Sequence, residues 1–277
     1  MADIYGSHFE YAGVSSRVYG LIIANVETSR FTKVSGSIGG AYIFNRSNKK
    51  RYLIENDYSD YPLSFEVDIV TDNERGIELN DRRAIEKWLF NKHDFRRLYL
   101  DITDDIWGET YEIVDGIEKR LYLYCRFVNP ERLEYNGGIV GYRVTIETDS
   151  GMWYQDTTEK IFTLNNAGSA TTSRIVVNVD SDLDEYIYPE VSFTMGSLGG
   201  NATIINHTDS DTRLTKFLNL DTGAYVYLKG DLNYVSGDYY EKFSGMNFPR
   251  LLDGENAITV MGNVKDITFK FNNRRSL

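Results

Sequence analysis

His8, His93 and His207 are the only imidazoles in the sequence, so histidine-based metal binding or general base catalysis would have to be assembled from them. They are far apart and none belongs to an H-x-x-x-H pair, the spacing that puts two ligands on one helix face. Asp180, Asp182 and Asp184 alternate as in a calcium loop, but Glu185 and Val191 stand where the loop needs a glycine and a bidentate glutamate. On a strand edge such charges discourage edge-to-edge pairing. Ser15, Ser150 and Ser197 lie near glycines, yet none sits in a G-x-S-x-G elbow between strand and helix. Gly196-Ser197-Leu198-Gly199-Gly200 would cradle a phosphate only if a helix followed; Ala202-Thr203-Ile204-Ile205 follows instead and predicts a hairpin turn. With 41 carboxylates, some pair will always fall at a glycosidase separation, so counting acids decides nothing. Trp107 and Trp153, near polar turns, are left as candidate sugar-stacking rings, whereas Trp88 reads as helix core. Cys125, the single cysteine, lies in the apolar run Leu121-Tyr122-Leu123-Tyr124 and reads as a small buried hydrophobe. The residues therefore predict no catalytic group, no metal and no cofactor.

The elements that would position these groups are mainly strands. Twenty-one tyrosines and 14 phenylalanines beside only 4 prolines favour pleated, half-buried surfaces and interfaces. At 277 residues, two domains each with its own core are expected. The net charge of −11 is shared, with 19 basic against 25 acidic side chains up to residue 150 and 11 against 16 beyond it. That balance disfavours tight binding to a nucleic acid backbone. No secretory leader or membrane-length apolar run is seen, which predicts a soluble protein made in the cytoplasm with no membrane partner, and incidental N-x-Ser/Thr triplets at Asn45, Asn201 and Asn206.

Along the chain, Leu21 to Val26 opens a strand, and Phe65, Val67 and Ile69 alternate with Glu66, Asp68 and Val70. Residues 36–62 between them read as a long hairpin with too little core of its own to stand alone. One helix is predicted over about 81–91, capped by Asn80 or Asp81, with Ala84, Ile85, Trp88 and Leu89 on one face. Further strands include Leu98-Tyr99-Leu100, Tyr111 to Val114, Leu121 to Val128 and Tyr142 to Glu147, with Asp115-Gly116 and Asn136-Gly137 as tight turns. From residue 151 onward the strands become short and regularly spaced, the pattern of a β-sandwich. The expectation is a mainly β chain of two β-sandwich domains, residues 1–150 carrying the helix and the long hairpin, and residues 151–277 forming the second sandwich.

Two motifs bracket this pattern. The first runs from Phe9-Glu10-Tyr11 through Gly13 and Ser15-Ser16 to Tyr19-Gly20-Leu21, and the second from Phe248-Pro249-Arg250-Leu251-Leu252 through Gly254 to Asn256. Phe9, Tyr11, Tyr19, Gly20 and Leu21 should pack the opening strand. Pro249, Gly254 and Asn256 should shape the turn into the last strands, through a fixed φ, a positive φ and a side chain able to bond nearby backbone.

With Leu63 to Val70, Asp81 to Leu89, Arg143 to Thr148, Tyr188-Pro189-Glu190-Val191 and Leu251 to Ile258, these motifs resemble, over nearly the whole chain, the distal tail protein (Dit) family of long-tailed phages. The resemblance implies an N-terminal ring-forming sandwich with a "belt" hairpin, here about 36–62, and a galectin-like second sandwich. It implies a homohexameric ring, single or stacked as two, at the distal tail tip of the virion. That ring would join the major tail tube protein to the tail-associated hub protein and carry receptor-binding proteins, serving host adsorption. Arg46, Lys49, Lys50, Arg51, Tyr52, Tyr58 and Tyr61 of the belt are then the subunit-interface candidates. DNA would pass through the lumen without specific binding, repelled by acidic walls. A structural baseplate hub, not an enzyme, is the leading reading. A carbohydrate-binding β-sandwich module contacting cell-wall glycans is the alternative, and a β-sandwich glycosidase a third.

Overall fold

The computed structural model describes residues 6–26, 38–45, 50–58, 64–72, 76–100, 103–104, 108–109, 111–114, 116–164, 171–182 and 185–275. The chain is mainly β and divides into two compact units, residues 1–155 with 275–277, and residues 156–274. Where the sequence pattern changes, near residue 151, the first unit still takes one more strand, Trp153–Gln155, which pairs with the long strand Ile117–Tyr135.

The first unit is built on one antiparallel sheet. Its spatial order is Val14–Ser15, Phe9–Tyr11, Arg96–Leu100, Ile117–Tyr135, Gly138–Thr148, Ser64–Thr71, Leu21–Val26. Ser7 and Ile23 exchange backbone hydrogen bonds of 3.0 and 2.9 Å, so the last strand returns to the residue that leads into Phe9–Tyr11. Within the β-sandwich fold expected from sequence, the sheet thus curls back on itself at this bridge. The strand predicted over Leu121 to Val128 extends to 19 residues and bends at a register shift between Val128 and Glu131. Asn129, at φ 52°, and Pro130 occupy that bulge, where proline's missing N–H costs no ladder bond. Asn136 and Gly137, at φ 49° and 80°, make the two-residue turn that pairs Tyr135 with Gly138.

The helix spans Leu79–Leu89, beginning two residues before the prediction and ending two before its expected close. Its N-cap is Glu78, whose side chain makes no capping bond, so Asn80 and Asp81 fall inside the first turn. Asp81 there complements the helix dipole without capping it. Ile85, Trp88 and Leu89 are buried in the core of the unit. The Trp88 ring stacks on Phe9 at 5.7 Å and its Nε1–H donates to the Tyr11 carbonyl at 2.8 Å. Cys125 is fully buried in the same core, which pushes its thiol up and leaves it inert. Trp153 is 2% exposed there, which removes it as a sugar platform; Trp107 lies outside the described residues.

Residues 38–45 and 50–58 form a two-stranded antiparallel sheet of their own, from Ile38 opposite Tyr58 to Asn45 opposite Lys50. No helix among the described residues is long and apolar enough to cross a membrane.

The second unit is a sandwich of two five-stranded antiparallel sheets. One runs Thr158–Thr163, Val264–Phe271, Glu190–Met195, Tyr225–Lys229, Tyr234–Val235; the other runs Thr172–Val179, Gly254–Gly262, Gly200–Asn206, Leu214–Leu220, Phe243–Ser244. Their inner faces enclose Phe193, Phe217, Phe243, Phe248 and Phe269. The Gly196 to Gly200 segment is not the predicted hairpin turn, because the strands it joins lie in different sheets. Asn263 sets the crossing, its carbonyl accepting from Gly196 N–H at 2.6 Å and its side-chain oxygen from Leu198 N–H at 3.1 Å. Asp180 and Asp182 likewise sit beyond the end of a strand, not on its edge, with the Asp182 N–H donating to the Arg274 carbonyl at 3.0 Å.

Trp88→Ala removes a stacked ring and a buried hydrogen bond to the Tyr11 carbonyl. It is expected to destabilise the first unit by about 3–5 kcal/mol, read by chemical denaturation followed through circular dichroism.

Candidate interaction surfaces

The bracketing motifs turn out to be internal supports. Phe9, Tyr11 and Leu21 are buried, and Tyr19 packs its ring 5.5 Å from Trp88. Gly20, at φ 57°, ends the short helix Ser16–Tyr19, a conformation that disfavours residues with a Cβ. Ser16 Oγ accepts from Phe9 N–H at 3.0 Å, tying this turn to the opening strand.

In the second unit, Phe248 packs its ring 5.1 Å from Phe243 and Pro249 is buried beside it. Arg250 donates through Nε and Nη2 to the two carboxylate oxygens of Asp209, both at 2.7 Å, while its guanidinium lies 3.6 Å from the Tyr186 ring centroid. Gly254 takes φ 85° at the start of the strand Gly254–Gly262. Asn256 is 0% exposed and makes four hydrogen bonds to three residues. Its oxygen accepts from Leu252 N–H at 2.9 Å and Asn206 Nδ2 at 2.8 Å, and its amide donates to the carbonyls of Leu252 and Gly254 at 2.7 and 3.2 Å.

His8 and His207 are used structurally, whereas His93 is exposed. His8 Nδ1–H donates to the Leu21 carbonyl at 3.0 Å, and His207 bridges Asp211 and Thr259. Among the described residues no group of three His, Cys, Asp or Glu side chains is placed to hold a metal ion.

Sequence reasoning missed a tyrosine layer on the side of the first sheet opposite its aliphatic core. Register places Tyr99 opposite Tyr122 and Arg97 opposite Tyr124. The Arg97 guanidinium lies 4.5 Å from the Tyr122 ring centroid, with Nε donating to Tyr124 Oη at 3.3 Å and Nη1 to Tyr99 Oη at 3.5 Å. Tyr154 stacks on Tyr122 at 5.8 Å. The signal was the two-residue spacing of Arg97 with Tyr99 and of Tyr122 with Tyr124; only the pairing of the strands turns it into a cluster.

The outward face of one sheet in the second unit carries a charge ladder across neighbouring strands: Glu159, Lys270, Glu190, Lys229. Lys270 pairs with Glu159 at 3.1 Å and Lys229 with Glu190 at 2.7 Å. Burial alone would push Glu190 up, but the Lys229 ammonium and the Tyr227 hydroxyl outweigh it and hold the carboxyl below its ordinary range. Tyr225 and Tyr234 flank this face and are half exposed.

Of the subunit-interface candidates, Lys50, Arg51, Tyr52 and Tyr58 lie on the strand Lys50–Tyr58, opposite Asn45, Phe44, Ile43 and Ile38. Arg46, Lys49 and Tyr61 lie outside the described residues.

Comparisons with known proteins converge on one class. A family model described as a phage tail protein N-terminal domain matches residues 4–150, and one described as a phage tail C-terminal domain matches residues 154–271. The fold is similar to that of the SPP1 Dit protein, described as a paradigm of the hub adsorption apparatus in phages infecting Gram-positive bacteria. The two share 10% identity with a TM-score of 0.63, over 98% of this chain and 100% of that one. It is also similar to a chain of the phage p2 baseplate in its activated conformation with calcium, at 10% identity and a TM-score of 0.52, over 98% of this chain and 99% of that one. The strontium form of that baseplate gives the same identity and TM-score over 98% of each chain. A search of curated proteins gives no match.

Asn256→Ala removes four hydrogen bonds at once, two accepted by its oxygen and two donated by its amide. A loss of about 3 kcal/mol is expected in urea denaturation, with Asn256→Asp intermediate because it keeps the acceptor. Glu190, with its folded-state pKa lowered, contributes stability above the unfolded carboxylate value that is lost as pH falls through the folded one. The melting-temperature gap between wild type and Glu190→Gln should therefore be widest near neutral pH and close on acidification.

Proposed function

Since the chain belongs to this phage tail protein family and is a virion structural protein, we propose that it is the hub of a tail-tip baseplate, a non-enzymatic connector that closes into a homohexameric ring. The observation that carries this reading is full-length correspondence: both units match, in order, the whole of a protein described as a hub adsorption apparatus. Internal support for the first and last strands fits a connector, whose work is to hold a shape under load. The first unit forms the ring, through heterologous contacts that close by rotation. The belt, which among the described residues pairs as a two-stranded sheet of its own, reaches a neighbouring subunit. The second unit, with the domain boundary near residue 151, is galectin-like and docks receptor-binding proteins. One face of the ring takes the major tail tube protein and the other the tail-associated hub protein. DNA crosses the lumen without specific binding, consistent with the net negative charge of both parts of the chain.

Light scattering of the purified protein should give six times the chain mass, and negative-stain images should show six-fold rings. A stable monomer at high concentration that binds glycans on an array would overturn the hub in favour of a carbohydrate-binding module. Deleting residues 45–56 should weaken ring formation while the far-ultraviolet circular dichroism stays that of a β protein. An undiminished ring would show that the belt is not the main contact.

A further inference from the structure

Beside the tyrosine layer the first unit opens a cleft of about 440 Å³, lined by Lys92, Phe95, Arg96, Arg97 and Tyr124 with the Ala12–Gly13 turn. Three of these side chains are cations and none is an acid, in a chain whose net charge is −11. Arg96 is answered by Asp94 at 3.3 Å, an exposed pair that is worth little. Arg97 and Lys92 have no carboxylate within ion-pair reach among the described residues. Arg97 is half-buried, so its charge has lost part of its hydration without gaining a counter-ion. Its side chain is also held in place: the Tyr122 ring lies against the guanidinium, and Tyr124 and Tyr99 take one donor each from Nε and Nη1. Of the five N–H donors of an arginine, one on Nη1 and both on Nη2 are left over, oriented and unspent among the described residues. Charged donors of this kind make strong hydrogen bonds to a carboxylate.

We propose that this cleft is a carboxylate receptor, and that its occupant is an acidic segment of a second copy of the chain. Charge complementarity selects the occupant. Two copies of a protein at −11 repel one another wherever their acidic surfaces meet, so a contact between copies is favoured where a cationic patch on one meets acid on the other. The cleft is such a patch, and a heterologous contact, cleft on one copy and acid on the next, is the type that closes into a ring. The inference rests on the ring reading for its occupant, but not for the chemistry of the cleft.

The test uses the full chain and the variants Arg97→Gln, Lys92→Gln and their combination, each checked by thermal melting for an intact fold. Lys92→Gln serves if the tyrosine layer does not tolerate the loss of Arg97. Wild-type assembly followed by light scattering should weaken with added salt, and the double variant should need at least about tenfold more protein to reach half assembly. Equal assembly of the double variant and wild type would overturn the inference while leaving the ring reading standing. If wild type stays monomeric, the cleft is read directly, apart from the ring reading, with an oligoglutamate peptide in titration calorimetry. Binding by wild type that is lost in Arg97→Gln supports the receptor, and absence of binding, or equal binding by both, overturns it.

Discussion

The first unit depends on the seating of one indole. Trp88 projects from the only α-helix among the described residues, stacks on Phe9, and gives its N–H to the carbonyl of Tyr11. That single contact fixes the helix against the opening strand, and the opening strand in turn pairs with Arg96–Leu100, which pairs with the long strand Ile117–Tyr135. A buried ring with its polar handle satisfied gives both burial and direction. The return of Leu21–Val26 to Ser7 then closes the sheet around that ring.

Both units hold the start of a strand with a local polar or turn device. In the first, Ser16 and Gly20 shape a turn that locks Phe9 beneath Trp88. In the second, Asn256 gathers Leu252, Gly254 and Asn206 into one fully satisfied polar knot, and the Arg250–Asp209 pair clamps the approach to it. A buried polar network of this kind is costly to half-build, which makes it a specifier of one arrangement. Arg97 breaks the pattern: its charge is oriented by rings and hydroxyls and left without a counter-charge among the described residues. That difference separates a support from a surface built to meet something else.

Much of the secondary structure was legible because it is written locally. Asn136-Gly137 announces its turn through backbone conformations that few residues accept, and the apolar spacing of Ile85, Trp88 and Leu89 announces the helix and its buried face. The first miss was also local: Asn80 and Asp81 look like caps, but burial of Ile85, Trp88 and Leu89 accommodates a start at Leu79 and wins over capping chemistry. The Gly196 to Gly200 turn was misread for a different reason. Its glycines state that the chain must bend, whereas Asn263, more than sixty residues away, decides that it bends into the opposite sheet.

Alone, the sequence determined the class of structure: mainly β, two cores, one helix, and two bracketing motifs without catalytic groups. These follow from periodicity and from the conformational limits of glycine, asparagine and proline, which act within a few residues. Tertiary structure alone decided that Trp153 is core, that the first sheet closes through Ser7 and Ile23, and that Arg97 sits in a tyrosine layer facing an acid-free cleft. Each of those depends on strand pairing between distant segments. Pairing is set by the sum of burial over the whole unit, which no short stretch of sequence carries.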